Sequence, residues 1–524
     1  MEHRSFLNEN KDLITALILY SFLAVFSLKY YMVIGGDEIS YINIAHAYAT
    51  GNWEDAINGY WSPLYSWLMA PFLLFGPTTL YTVYISRVLS LAIGFFTIIS
   101  IRKLTHIFNL NKTVKSALTF SLVPSILFFS LMYPTPDLLA ALILICYLSI
   151  ILDTNYSNNL FNGALCGFIG AAAYFTKSYL FMFFLVHFIL FNSIYYFKCL
   201  NDAKKKNILK NLVLGLSIFF VISGLWAGVI SEKYGKLTIS TSGEYNQAVK
   251  GPEYPTDPVF YAGLFKPPNN SSTSIWDDPS YIKVVPWSPF NSIESFKYEL
   301  QLIWKNILRT TAIIESFFII AFIIIISSIL FIFRSKSEKI SKDQITYLLI
   351  TIVIYIGGYC FIAVEWRYFF FIFILLMLTG FYLIDNLYKS KTFNATFRNV
   401  LLLLLILSFI IQPMSEMILF AGNDNSYNLS NTLKDEYGVH GNIASDEWGG
   451  KTLTISYYLN AKYYGKTNET DNSTELQNEL ENNNIDYYFV WNKSTPKLSD
   501  YKEITNGKLE GLKIYSRIKK LNHN

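Results

Sequence analysis

Charge is what this chain is short of. Only 15% of its 524 residues are Asp, Glu, Lys or Arg, against about a quarter in a typical soluble protein. Cysteine is sparse as well: Cys146, Cys166, Cys199 and Cys360 all fall in or beside apolar runs. That excludes a disulfide framework and a Cys-based metal site. The sequence has no internal repeat, and no paired His and carboxylates stand at metal-ligand spacing. The net charge is +4, with the basic residues gathered in short loops. Such placement carries topology, and nucleic acid is not an expected partner.

What the chain has in excess is apolar residues, 52% of the total, with a mean hydropathy of +0.32. They collect in runs of about 20, the length that spans a bilayer as a helix. The chain reads as an α-helical polytopic membrane protein with about 11 spans. These fall at 13–34, 79–101, 114–132, 137–152, 160–176, 178–197, 211–230, 311–333, 345–363, 368–387 and 399–420. Residues 13–34 exceed a signal h-region and lack a small-residue cleavage site, so a retained first span is expected. Four basic groups test the count. They are Arg102, Lys103, Lys112 and Lys115; Lys198, Lys204, Lys205, Lys206 and Lys210; Arg334, Lys336, Lys339 and Lys342; and Lys389, Lys391 and Arg398. All four fall inside if the N-terminus is cytoplasmic and the C-terminus outside. Leu160 to Phe197 would be about 57 Å as one helix, so it must turn, near Lys177. "PLYSWLMAPFLLFG" (63–76), bracketed by Pro63 and Pro77, is too short to cross and reads as an interfacial or re-entrant helix.

The expected division is a membrane domain, 1–420, with outer loops 35–78 and 231–310, and a small extracytoplasmic α/β domain, 421–524. The loop 231–310 is rich in Pro and aromatics and reads as ordered turns packed onto something. In the tail, "NIASDEW", "DYYFVW" and "LKIYSRI" read as strands. "STELQNELENNN" reads as a helix with Thr474 and Gln477 at capping-box spacing.

Ionisable residues near membrane depth each need a reading. Asp37 and Glu38 follow the first span; acids there are either simply hydrated or functional. Adjacent side chains diverge by about 100° on a helix, so the two cannot share one task. Asp137 opens a span, where it either complements the helix dipole or serves chemistry. Lys177 either snorkels or grips a phosphate as a point charge. Arg367 in "VEWRYFFF" stands against the positive-inside trend and needs a partner, either Glu365 or a phosphate. His46, Trp53 and Trp61 fit an interfacial surface better than catalysis.

The order of "GDEISYINIAHAYATGNW", "WSPLYSWLMAPFLLFG", "TPDLLAALILI", "GFIGAAAYFTKSYLFM" and "EWRYFFF" resembles the GT-C class of integral-membrane glycosyltransferases over residues 10–420. It is most similar to protein O-mannosyltransferases, lipid A aminoarabinose transferases and related polyprenyl-phosphate-sugar transferases. The resemblance implies an inverting glycosyltransferase that moves a sugar from a polyprenyl or dolichyl monophosphate to a hydroxyl of a protein, lipid or glycan. The implied setting is the outer face of a multi-pass plasma-membrane enzyme. Asp37 would be the general base, Glu38 would seat acceptor or sugar, and Asp137 would assist. Lys177, Arg367 and Tyr368 would bind donor phosphate, with His46, Trp61 and Glu365 in the substrate loops. The resemblance fixes no cofactor and metal dependence stays open; a divalent ion such as Mg or Mn, if bound, would have Asp37 and Asp137 as ligands. A transporter or flippase of polyprenyl-linked sugars would want deep charges and internal symmetry. A glycan polymerase or ligase is a further alternative, and a plain membrane anchor would need only one span.

Overall fold

The computed structural model describes residues 10–31, 33–76, 78–334, 339–392, 394–422, 425–447, 449–468, 472–491 and 496–518. Pro77, Lys336 and Trp448, invoked above, lie outside them. The chain divides into two compact units, one of residues 1–31, 87–228 and 288–421, the other of 32–86, 229–287 and 422–524.

The first unit is helical. Among the described residues, eight helices of the chain are long and apolar enough to cross a membrane, nine if one bent pair counts as a span. Helices occur at all the expected places, but three of the expected spans, 137–152, 160–176 and 311–333, are short or broken. Pro136–Ile151 and Phe161–Thr176 have 16 residues each, about 24 Å of helix against a core of about 30 Å. The expected span 311–333 is broken. Ile293–Phe317 and Ala321–Arg334 meet at 104°. Two adjacent rings meet at the break. Phe317 stacks on Phe373 at 4.1 Å, while Phe318 meets Phe409 edge-on at 4.1 Å. Phe318 is extended there, and both rings are buried. The turn near Lys177 is present: Lys177 is extended between Phe161–Thr176 and Tyr179–Lys198.

The helix Phe370–Lys389 is buried at every position from Phe370 to Asn386. A helix apolar all round belongs inside a bundle, and this one is the core. Phe161–Thr176 approaches Asp202–Tyr234 closely. A Cβ at Gly163 would lie 2.4 Å from the Asn211 oxygen, and one at Gly167 2.1 Å from the Gly215 oxygen. Gly163 and Gly167 form the small-xxx-small spacing that lets membrane helices touch by their backbones.

The second unit gathers three stretches distant in sequence. Its sheet has five strands, β1 (Asn442–Ser445), β2 (Lys462–Lys466), β3 (Tyr487–Val490), β4 (Tyr501–Glu503) and β5 (Lys513–Arg517), in the order β2-β1-β3-β5-β4. β1 pairs parallel with β2 and β3, while β5 is antiparallel to β3 and β4. Strands β1, β3 and β5 are those legible in the sequence. "KYYGK" (β2) and β4 are additions. The tail helix Ser473–Asn482 is capped by Asn472, which accepts from the Thr474 amide at 3.0 Å; Thr474 is not the cap. Leu476, Leu480, Ile485, Tyr488, Val490 and Tyr515 fill the core beneath the sheet.

The loop stretch adds a helix, Ser242–Val249, and three 3-10 turns. From Ile293 what was expected as loop is the long helix of the first unit. The loop joins the sheet through the Tyr463 amide, which donates to the Thr273 oxygen at 2.7 Å. Helix Gly36–Ala49 joins both. A Cβ on Gly36 would sit 3.2 Å from Leu453 and 3.2 Å from Trp276, and the Thr454 hydroxyl donates to the Ile34 oxygen at 3.0 Å. The segment "PLYSWLMAPFLLFG" forms the helix Leu64–Leu73, below spanning length.

Candidate functional site

In the helical unit, charge converges on one aromatic ring. Thr135 is extended, Pro136 pre-sets the first turn, and Asp137 follows in that turn. Asp137 is 6% exposed. Its Oδ2 accepts from the Thr135 hydroxyl at 2.7 Å and its Oδ1 from Lys177 Nζ at 2.5 Å. Lys177 reaches that partner because the chain is extended between two helices there. Its ammonium also lies 3.9 Å from the centre of the Tyr368 ring. Arg367, in the short turn Trp366–Phe369, places its guanidinium 5.5 Å from the same ring. It pairs with Glu365 through Nε at 3.1 Å and an amino nitrogen at 3.0 Å.

Tyr368 is held in turn. It stacks on Tyr359 at 4.8 Å, which stacks on Tyr179 at 3.8 Å, and Tyr355 donates to the Tyr368 oxygen at 3.1 Å. Two cations thus face one rigid ring, the first neutralised by a buried carboxylate, the second by a carboxylate that is 46% exposed. Such an arrangement suits an anion that displaces the weaker, wetter partner.

In the mixed unit, Asp37 and Glu38 stand in the first turn of Gly36–Ala49 and diverge, as adjacent helical residues must. Asp37, half-buried, accepts from Trp276 Nε1 at 2.8 Å. Glu38, buried, accepts from the Ser86 hydroxyl at 2.8 Å. Trp61 Nε1 donates to the Trp276 oxygen at 3.0 Å, and its ring lies edge-on to Tyr41 and Tyr60. Trp61 therefore supports the indole that holds Asp37. His46 is nine residues along the helix from Asp37, which at 100° per residue puts it on the opposite face. Behind Trp276 the loop is stiffened by Asp277, whose carboxylate takes Asn43 Nδ2 and the Thr273 and Ser274 amides.

The partners Thr135, Tyr359, Ser86 and Trp276 were not singled out as site residues from the sequence. Aromatic richness marks the Trp276 loop, but a bond across more than two hundred residues has no local signature.

A divalent ion is disfavoured at Asp137, which already carries an ammonium that would repel a cation. Among the described residues no three His, Cys, Asp or Glu form a metal-holding group.

No family model and no curated protein matches the sequence. Solved structures do match. The oligosaccharyltransferase of Archaeoglobus fulgidus, solved with zinc and sulfate, has a TM-score of 0.58 at 12% identity, over 91% of this chain and 67% of that one. ArnT from Cupriavidus metallidurans, bound to undecaprenyl phosphate, has a TM-score of 0.54 at 12% identity, over 95% of this chain and 97% of that one. The fold is therefore GT-C-like and polytopic, with a small C-terminal sheet domain.

Proposed function

We propose that this chain is an inverting glycosyltransferase that takes a sugar from a polyprenyl-phosphate donor and passes it to an acceptor hydroxyl. The observation that carries this reading is the convergence of Lys177 and Arg367 on the ring of Tyr368. The likeness to the GT-C fold agrees with it, and the ArnT structure it resembles holds undecaprenyl phosphate.

The chemistry follows from the leaving group. A phosphate departs without a strong acid, provided its developing charge is met. A cation about 4 Å from an oxyanion contributes on the order of 4 kcal/mol at an effective dielectric near 20. Lys177 and Arg367 supply that term, and Asp137 keeps Lys177 charged and aimed. Asp37 takes the proton of the acceptor hydroxyl as general base. Glu38, turned the other way onto Ser86, fixes the helix that carries Asp37. The acceptor is a protein, lipid or glycan hydroxyl, and the working face is extracytoplasmic.

Purified protein offered polyprenyl-phosphate sugars is expected to release polyprenyl phosphate. Asp37→Asn is expected to insert normally and to lose transfer by at least about a hundred-fold. Unchanged turnover in that variant removes Asp37 as base.

A further inference from the structure

Helix Ile293–Phe317 carries two apolar surfaces. One is buried: Asn306, Thr310, Ile313, Ile314 and Phe317 face the rest of the unit. The other is exposed: Ile293, Phe296, Leu300, Trp304 and Ile307 recur every three or four residues and so form one edge. Trp304 is 62% exposed. In water that edge would be a persistent apolar patch, which soluble surfaces avoid.

The neighbouring geometry says what covers it. After the 104° turn, Ala321–Arg334 is apolar, and Ile323, Ile326, Ile329 and Phe333 are exposed along it. If that helix runs along the bilayer normal, a helix at 104° to it lies nearly in the membrane plane. The exposed edge is then continuous with the lipid-facing side of the spanning segment. The charges of Ile293–Phe317 are balanced: Glu294, Glu299 and Glu315 against Lys297, Lys305 and Arg309. Headgroup charge therefore does not hold the helix, and burial of the apolar row does.

The buried side bonds to the chain that leads into the cationic cluster. Asn306 Nδ2 donates to the Cys360 oxygen at 2.9 Å and to the Ile362 oxygen at 3.4 Å. Cys360 ends the helix Lys339–Cys360, where carbonyls lack intrahelical donors. The chain runs from there directly into Glu365, Arg367 and Tyr368.

We propose that Ile293–Phe317 lies in the membrane interface with its apolar row in the acyl boundary, and that Asn306 passes this placement to the segment bearing Arg367. Asn306 is a positioning residue, and this second part rests on the phosphate role proposed for Arg367.

The first part is read by the emission difference between the wild-type protein and Trp304→Phe in phosphatidylcholine liposomes brominated at defined depths. Trp304 emission is expected to fall about two-fold or more with bromines near the glycerol end of the chain, and less with bromines at the chain terminus. Quenching by aqueous iodide alone, or strongest quenching from the bilayer centre, overturns the in-plane placement. For the second part, Asn306→Ala is expected to weaken binding of polyprenyl phosphate about ten-fold with Trp304 quenching unchanged. Asn306→Gln, which keeps an amide donor, recovers most of that loss. Wild-type affinity in Asn306→Ala overturns the coupling. A wild-type protein that binds no polyprenyl phosphate removes the proposed function and the coupling together, while the quenching still judges the helix alone.

Discussion

Lys177 and Arg367 face the same ring, yet their loss should be felt differently. Lys177 neutralises a carboxylate whose side chain is 4% exposed, whereas the partner of Arg367 is 46% exposed. Lys177→Met strands a buried charge, which costs about 3–5 kcal/mol. Adding Asp137→Asn removes that charge, so the double variant is expected to regain most of the thermal stability in detergent, though not activity. Arg367→Ala leaves a hydrated Glu365 and is expected to shift stability by no more than about 1 kcal/mol. Donor affinity should nevertheless fall about ten-fold or more, since a charge-assisted hydrogen bond is worth about 1.5–3 kcal/mol. Thermal unfolding and donor titration of the three variants separate these outcomes. Equal stability for Lys177→Met and the double variant would refute a stabilising Asp137–Lys177 pair. The four residues themselves are legible in the sequence because charge is rare in an apolar chain. Their pairing is not: Asp137 and Lys177 meet across two helices, and nothing local to either names the other.

At the scale of elements, what sequence conveys is apolar length, and what it hides is packing. The helices lie where the runs are, but the rings packed at the break near Phe318, Phe373 and Phe409, are both more than fifty residues away. The spacing of Gly163 and Gly167 does not name the surface they meet, Asn211 and Gly215. Gly167→Leu is expected to force Phe161–Thr176 away from Asp202–Tyr234, because the atom it meets is backbone and cannot give. Overpacking of this kind costs about 1–3 kcal/mol. A melting temperature equal to wild type would count against the close approach.

The loop of the mixed unit makes a different prediction. Burial raises the carboxyls of Asp257 and Asp278 above their ordinary value of 3.8. The folded loop then holds protons that the unfolded chain has released. Its stability is accordingly highest at acid pH and falls as pH climbs from 3.8 through the raised values. Hydrogen exchange of peptides within 242–281, corrected for intrinsic rate, should show protection declining over that window. Asp257→Asn should flatten part of the slope.

At the scale of the molecule, parity turns on one short helix. Among the described residues eight helices pass as spans, and an even number would put both ends of the chain on one side. Pro136–Ile151 and Phe161–Thr176 follow one another, so crossing as a pair leaves parity unchanged. Their length is no bar, because a bilayer thins locally around short helices at modest cost. Ala321–Arg334 alone decides. It has 14 residues, about 21 Å, but Arg334 ends it, Lys339 follows, and the positive-inside bias draws them to the cytoplasm. If it crosses, the N-terminus is inside and the sheet domain outside. Reporter fusions that fluoresce only in the cytoplasm, placed at either end, are expected to light at the N-terminus alone. Signal at both ends would put the sheet domain on the opposite side of the membrane from Asp37, one span after the N-terminus, against the contacts that join helix Gly36–Ala49 to that domain, and would refute the orientation proposed for the transfer.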